Sequence, residues 1–402
     1  DRVMIGFAKL TARCRAIVRM LVLPCMVVSL FAVQGVRAQG AFYRAEPSEL
    51  VGPPGTLIRQ EPLGLPAPEG AAAYRVLYRS TGLNNEPIAV SGVVIVPSGS
   101  PPANGRAIVA WAHPTTGVVP RCAPSLAMFL IQQIQGVRKM VQRGFIVAAT
   151  DYPGLGTPQT HPYLVGVSEA RAVLDSVRAA RSFGGAQNRF AVWGHSQGGQ
   201  AALFTGLLAK SYAPELELVG VAAAAPATDL LALIGDDMDS AGGRNLTAMT
   251  LWSWSRVFGA PIDKVIDLSA LPIIDQLAGE CIESIYDIMV RRSTARPLEQ
   301  HFLSVSNFYT TEPWRSLMAD NTPGTLPPNI PLFLAQGGAD QLVRPAVTDD
   351  YMKRQCQAGS KVQMLTLPES NHGFIASAVA PAAVEWMTDR FAGFPAPSDC
   401  GR

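Results

Sequence analysis

A surplus of one charge sign is what this chain most clearly lacks, and that excludes a nucleic-acid partner. Its 402 residues hold 33 Lys and Arg against 31 Asp and Glu, a formal net charge of +2. With no run of five like charges, no basic stripe exists to neutralise phosphates. Charged residues are scarce altogether, at 16%, while 48% of the chain is hydrophobic, enough for a large folded core. Histidines number five. Neither Cys-x-x-Cys nor His-Glu-x-x-His occurs, so no metal is expected. A Walker A loop and a Gly-x-Gly-x-x-Gly turn are equally absent, so no nucleotide, dinucleotide or other cofactor is implied. Internal repeats and low-complexity tracts are missing, which excludes repeat architectures.

Also missing is an apolar run long enough to cross a bilayer, which takes roughly 20 residues. The uncharged stretch Met20–Val33 is shorter, follows Arg13, Arg15 and Arg19, and leads to Val36-Arg37-Ala38. This is the pattern of a secretory signal peptide over 1–38, with cleavage between Ala38 and Gln39 and a secreted product, extracellular or periplasmic. Its removal leaves Cys122, Cys281, Cys356 and Cys400. Four cysteines in an exported chain read as two disulfides with three possible pairings. Position along the chain favours Cys122–Cys281 and Cys356–Cys400.

What is present is sharper. Residues 194–199 read Gly-His-Ser-Gln-Gly-Gly, directly after the apolar run ending at Trp193 and before helix-forming Gln200-Ala-Ala-Leu-Phe204. Gly-x-Ser-x-Gly between a strand and a helix is a nucleophile elbow, which holds a serine out of a sharp turn. A side chain at Gly194 or Gly198 would collide across that turn.

Short apolar runs alternate with helical stretches on both sides of the elbow. Tyr74–Arg79 and Ile88–Val96 form a hairpin across Gly82-Leu-Asn-Asn85. Buried strands follow at Ala107–Ala112, 144–150, 190–193, Val219–Ala224, Pro331–Ala335 and Val362–Leu367, with helices at Met128–Arg143, Ser168–Ser182 and 197–210 between them. Residues 39–70, rich in Pro and Gly, read as an extended arm. The pattern is an α/β fold, a mostly parallel sheet with helices on both faces, of the α/β-hydrolase type. It breaks between about Asp229 and Asn329, where helices at Asn245–Phe258, Pro261–Leu268, Ile273–Val290 and Leu298–Thr310 succeed one another without a buried strand. The expected organisation is a core over 39–229 and 329–402, with a helical cap inserted at 230–328.

A serine hydroxyl needs a base, and the base needs a carboxylate to fix its tautomer. On this fold the partners follow the serine in the order acid, then histidine. His113 and His161 precede Ser196, His195 adjoins it and His301 lies in the insertion. That leaves His372, in the loop after the last strand. The acid is Asp340, just past strand Leu332–Ala335, over Asp349, Asp350 and Glu369. The oxyanion of acyl transfer needs two preset donors. One is the amide of Gln197; for the second, the loop 113–117 and Asp151 compete. Asn245-Leu-Thr247 is a glycosylation sequon if the host glycosylates.

The chain resembles the secretory lipase family, the yeast lipase A-like α/β-hydrolases. The resemblance runs through Phe42-Tyr43, Pro53-Pro-Gly-Thr-Leu-Ile-Arg59, Cys122-Ala-Pro-Ser125, Thr150-Asp-Tyr-Pro-Gly154, the elbow and Tyr212-Ala-Pro-Glu-Leu216. It implies carboxylic esters, often triacylglycerols, as substrates, with Ser196, Asp340 and His372 catalytic. It also favours Asp151 with Gln197 as the oxyanion hole. Gln197 itself departs from the pattern, since the yeast relative has a small residue there. The expectation is a secreted, monomeric serine ester hydrolase, lipase or esterase, acting through an acyl-enzyme, with transient contact to a lipid interface. An amidase, a peptidase or a polyester-cleaving esterase on the same fold is the alternative.

Overall fold

A nine-stranded sheet in the order β1-β2-β3-β5-β4-β6-β7-β8-β9 carries the molecule, seen in a computed structural model that describes residues 40–401. The strands are β1 (Leu57–Pro62), β2 (Ala71–Thr81), β3 (Pro87–Pro97), β4 (Arg106–Ala112), β5 (Ile146–Thr150), β6 (Ala186–His195), β7 (Glu217–Ala224), β8 (Leu332–Gly337) and β9 (Val362–Leu367). The signal peptide and its cleavage point lie outside the described residues. Residues 40–44 fall in a unit separate from the rest, and in it Arg44 N–H donates to Ala41 C=O at 3.3 Å.

The pairings from β5 across to β9 are parallel, and those joining β1, β2, β3 and β5 are antiparallel. Every residue of β4, β5 and β8 is buried, because helices cover both faces of a parallel sheet and leave no solvated side to alternate with. The hairpin is β2–β3. The supposed arm contributes β1, paired to β2 with no fully buried residue. An edge strand flanked by prolines carries no hydrophobic alternation, so its sequence does not announce it.

The helices are α1 (Leu130–Gln133), α2 (Val137–Gln142), α3 (Gly166–Ala180), α4 (Gln197–Tyr212), α5 (Leu230–Asp237), α6 (Ala241–Val257), α7 (Leu271–Ala278), α8 (Ile285–Thr294), α9 (Trp314–Asp320), α10 (Pro345–Gln357) and α11 (His372–Phe391). The helix expected over Met128–Arg143 is broken into α1 and α2 by Gly136, at φ +82°. Trp193 explains the break, since its indole N–H donates to Gln135 C=O at 3.0 Å inside the gap.

Between β7 and β8 the described residues are helical and add no strand to the sheet. Three of the helices expected there are corrected. Ile273–Val290 is α7 and α8, parted around Cys281, which is bonded to Cys122. Pro261–Leu268 holds only the 3-10 turn Ile262–Lys264 and the start of another. Leu298–Thr310 is interrupted where Leu303 bridges Ile266. Tertiary ties decide all three, because helical stability in a folded chain comes mostly from packing rather than from spacing alone. The insertion is fastened to the loops at the C-terminal ends of β4 and β5. Ile282 N–H donates to Thr116 C=O at 2.8 Å, Ser253 Oγ to His161 C=O at 2.7 Å and Trp254 Nε1 to Tyr163 C=O at 2.8 Å. No described helix is long and apolar enough to cross a membrane.

Candidate active site

β6 runs straight into α4 through Ser196, whose backbone is held at φ 56°, ψ −118°. A Cβ on Gly194 would lie inside hard contact of Gly198 C=O, and one on Gly198 inside that of Ala112 C=O. Only glycine permits so close a crossing. Such strain persists because neighbours over-determine it; here Ser196 N–H donates to Ala224 C=O on the adjacent strand at 3.0 Å.

Three loops at the same sheet edge bring the expected side chains together. Ser196 Oγ lies 2.8 Å from His372 Nε2, and His372 Nδ1 lies 2.8 Å from Asp340 Oδ2. The Asp340 side chain is fully buried. It also accepts from the amides of Leu342 and Val343, each at 2.9 Å, and from Gln336 Nε2 at 3.3 Å. A carboxylate ringed by donors fixes the proton on His372 Nδ1, leaving Nε2 free to accept from the serine. α11 begins at His372 itself, capped by Asn371 Oδ1 accepting from Gly373 N–H at 3.1 Å.

His195 takes no part in that chain. Its Nε2 lies 2.9 Å from His372 C=O, to which it donates, so it braces the backbone that carries His372. Burial, then the neighbouring His372, pushes the His195 imidazole down to about 3.

Gln197 is the first residue of α4, so its amide has no partner inside the helix and is open to an oxyanion. Asp151 requires a correction. Its N–H donates to Ser91 C=O at 2.8 Å, as the ladder between β3 and β5 continues past the last strand residue. Its carboxylate accepts from Ser91 Oγ at 2.6 Å and from the amide of Ser125 at 2.8 Å, and also from Ser125 Oγ. Neither group is free for substrate, so Asp151 is a buried hub between loops. Burial lifts its carboxyl to about 6 against those bonds. The competing loop fits better, since Thr115 shares two cavities with Ser196 and its N–H has no acceptor among the described residues.

Sequence reasoning missed the device behind Gln197. Its carboxamide Nε2 donates to Glu169 Oε1 at 2.7 Å and sits 3.2 Å from His161 Nε2. His161 Nδ1 lies 2.8 Å from Pro153 C=O, and Glu169 Oε1 also accepts from Leu164 N–H at 3.1 Å. The only available signal was an acid one turn into a helix, which reads as an ordinary dipole partner.

This pair predicts a pH dependence of stability. Burial pushes Glu169 from 4.5 up to about 8, so its contribution is full at low pH and is lost as pH rises through 8. Burial lowers His113 to about 4 and His161 and His195 to about 3, from 6.5. Their contribution is full above 6.5 and is lost as pH falls. Asp151 and Asp175, both raised to about 6 by burial, have ionised before the upper arm begins. Stability should therefore peak near pH 6.5 and decline toward pH 8, by at most about 1.4 kcal/mol per pH unit for one proton. Glu169→Gln should flatten that upper arm in urea titrations. An unchanged slope in the variant removes Glu169 as its cause.

Ser196 opens on an apolar cavity of about 220 Å³ containing Leu246, Ile282, Ile288 and Leu342, and on a second of about 30 Å³ beside Gln197. A wider cavity of about 710 Å³ at the His372 side continues outward past Arg292 and Glu369. No group of three or more possible metal ligands occurs among the described residues.

The sequence profile of secretory lipases matches residues 125–399. The chain belongs to the secretory lipase family. Among its relatives are a "probable inactive lipase" of Mycobacterium tuberculosis, 25% identical over 85% of this chain and 79% of the relative. A secreted triacylglycerol lipase of Malassezia globosa is 27% identical over 82% and 74%. Candida antarctica lipase A in its closed state superposes with a TM-score of 0.75 at 18% identity, over 90% of this chain and 87% of that one. The fold is that of the α/β-hydrolases, and this member of the family is a carboxylic ester hydrolase. The two disulfides, Cys122–Cys281 and Cys356–Cys400, fit the family's secretory character and match the pairing favoured by position. The sequon is not a sugar site in this fold. Asn245 is buried within α6, and its Nδ2 donates to Ala241 C=O at 3.2 Å.

Proposed function

We propose that this secretory lipase-family chain is an exported serine esterase that works through Ser196, His372 and Asp340 by way of an acyl-enzyme. The carrying observation is the unbroken hydrogen-bond chain from Ser196 Oγ to the buried Asp340 carboxylate. Ser196 Oγ attacks the ester carbonyl as its proton passes to His372 Nε2. The C–O bond to the alcohol breaks as that proton goes to the departing oxygen. Water then repeats the sequence and frees the acid. The Gln197 amide, with the loop carrying Thr115, stabilises the oxyanion, and Glu169 holds Gln197 in place. Residues 230–328 act as the cap over the strand ends. Export is supported by the two disulfides and by the secreted relative.

The modest cavities beside Ser196 support short esters, since drug-sized ligands occupy roughly 300–1,000 Å³. Across 4-nitrophenyl esters from acetate to palmitate, kcat/KM should peak at or below about six acyl carbons and fall at least tenfold by palmitate. A maximum at long chains would replace this reading with a true lipase. One observation favours that second reading, namely that α8 exposes Tyr286 at 70%, Met289 at 65% and Ile288 at 49% near the mouth. A rate jump as an ester passes its solubility limit would mark such a face as a lipid-docking surface. An amide panel separates the amidase alternative.

A further inference from the structure

We infer that the cavity before Ser196 is built for esters that carry a second, ionised carboxyl group, and that Arg291 binds it. This rests on the ester-hydrolase reading and narrows its substrate class. Arg291 stands on α8 and is 3% exposed, yet it lines the same cavity of about 220 Å³ as Ser196 and His372. Half of its guanidinium has structural work. Nη1 donates to Leu277 C=O at 2.7 Å and to Glu280 C=O, closing the C-terminal end of α7, where a cation is favoured.

The other half has none. Nη2 is buried without a hydrogen-bond partner, and no carboxylate among the described residues forms an ion pair with Arg291. The acids nearest along the chain, Glu280 and Asp287, attract Arg291 through space, but their carboxylates accept no hydrogen bond from it, and Glu280 Oε2 is itself buried without a partner. Glu280 Oε1 accepts from Thr294 Oγ1 at 2.8 Å and from Gln276 Nε2 at 3.3 Å, while Asp287 Oδ2 caps α8 through Ser284 N–H at 2.7 Å. A buried guanidinium with an unbonded N–H group and no carboxylate in hydrogen-bond contact is costly to keep. Glutamine could serve the α7 carbonyls without burying a charge. An unbonded guanidinium N–H on a residue that lines a substrate cavity recovers that cost when the ligand brings the anion and the side chain turns to meet it.

The remaining walls at this point are apolar: Leu246, Ile282, Ile288 and Leu342. They suit the short hydrocarbon spacer between an ester and a distal carboxylate. Asn245 Oδ1, also buried without a partner in the same cavity, can accept from a hydroxyl on the same ligand. A short dicarboxylic half-ester, or an ester whose alcohol part bears a carboxylate, meets these requirements.

Two matched pairs test this with the whole enzyme. Mono-(4-nitrophenyl) glutarate against 4-nitrophenyl pentanoate places the charge on the acyl side. 4-Acetoxybenzoate against its methyl ester places it on the alcohol side. In one pair the acidic ester should have a kcat/KM at least about tenfold above its neutral mate, the size expected of a charge-assisted bond. In Arg291→Lys that ratio should shrink, and in Arg291→Gln it should fall to near one. A purely structural Arg291 would lower both members of a pair alike and leave the ratio unchanged. If Arg291→Gln does not fold, the wild-type and Arg291→Lys ratios decide alone. Turnover of the neutral esters with no acidic preference in either pair overturns the carboxylate subsite and leaves the esterase standing. Failure to turn over any of the four esters overturns the esterase reading instead.

Discussion

Replacing Ser196 by Ala should lower kcat by about 10³–10⁶ while the protein stays folded. The Oγ atom makes a single side-chain bond, to His372 Nε2, and packs at a partly open cavity. Its loss leaves no buried donor stranded in the core. The strained turn is fixed by Gly194, Gly198 and the Ser196 amide, and the variant retains all three. What disappears is the hydroxyl, 2.8 Å from His372 Nε2, that is proposed to form the acyl bond. Residual turnover would come from the oxyanion donors and from substrate positioning. Asp340→Asn should fall by about 10⁴ for a different reason, because an amide can hold His372 in the wrong tautomer. Ser196→Ala with wild-type burst and turnover on 4-nitrophenyl acetate would remove the nucleophile assignment.

The second large effect concerns stability. Converting Cys122 and Cys281 to Ala opens a loop of 159 residues. The chain-entropy relation puts that at about 5 kcal/mol, or about 5–10 °C in Tm for a unit of this size. Activity should drop as well. Cys281 adjoins Ile282, whose N–H holds Thr116 C=O, and Thr115 next to it faces Ser196. Freeing this clamp loosens the loop proposed to supply the second oxyanion donor. Cys356–Cys400 spans only 44 residues and ties the chain end to α10, away from Ser196. Its removal should destabilise with little change in kcat at temperatures where the protein is folded. Equal kcat losses from the two deletions would disconnect the 113–117 loop from the chemistry.

Some of this was legible because local chemistry left a single solution. Gly194 and Gly198 can be explained only by a turn too tight for side chains, and the strand and helix around them say which turn. The parallel sheet announced itself in runs such as Ala107–Ala112, whose burial on both faces demands continuous hydrophobicity. His372 and Asp340 followed from chain order once the elbow was known. β1 was illegible because an edge strand with prolines has no periodic signature. The breaks at Gly136 and Cys281 were illegible because Trp193 and Cys122, which cause them, lie 57 and 159 residues away.

Asp151 shows the limit most plainly. From the sequence it is an acid at the end of a strand beside a glycine turn, which suits an oxyanion donor. In space its amide continues a ladder to Ser91 and its carboxylate gathers two serines. Arg291 shows the converse, since nothing in Val290-Arg-Arg292 separates a solvated arginine from one that lines the cavity of Ser196.

The sequence by itself determined the layered fold and the proposed nucleophile, base and acid, because short-range sterics and hydrophobic patterning act within a few residues. Tertiary structure decided which polar groups remain unspent: the amides of Gln197 and Thr115, Arg291 Nη2 and Glu169 Oε2. Whether a donor is free depends on every acceptor within about 3 Å, and in a folded chain those acceptors come from anywhere along its length.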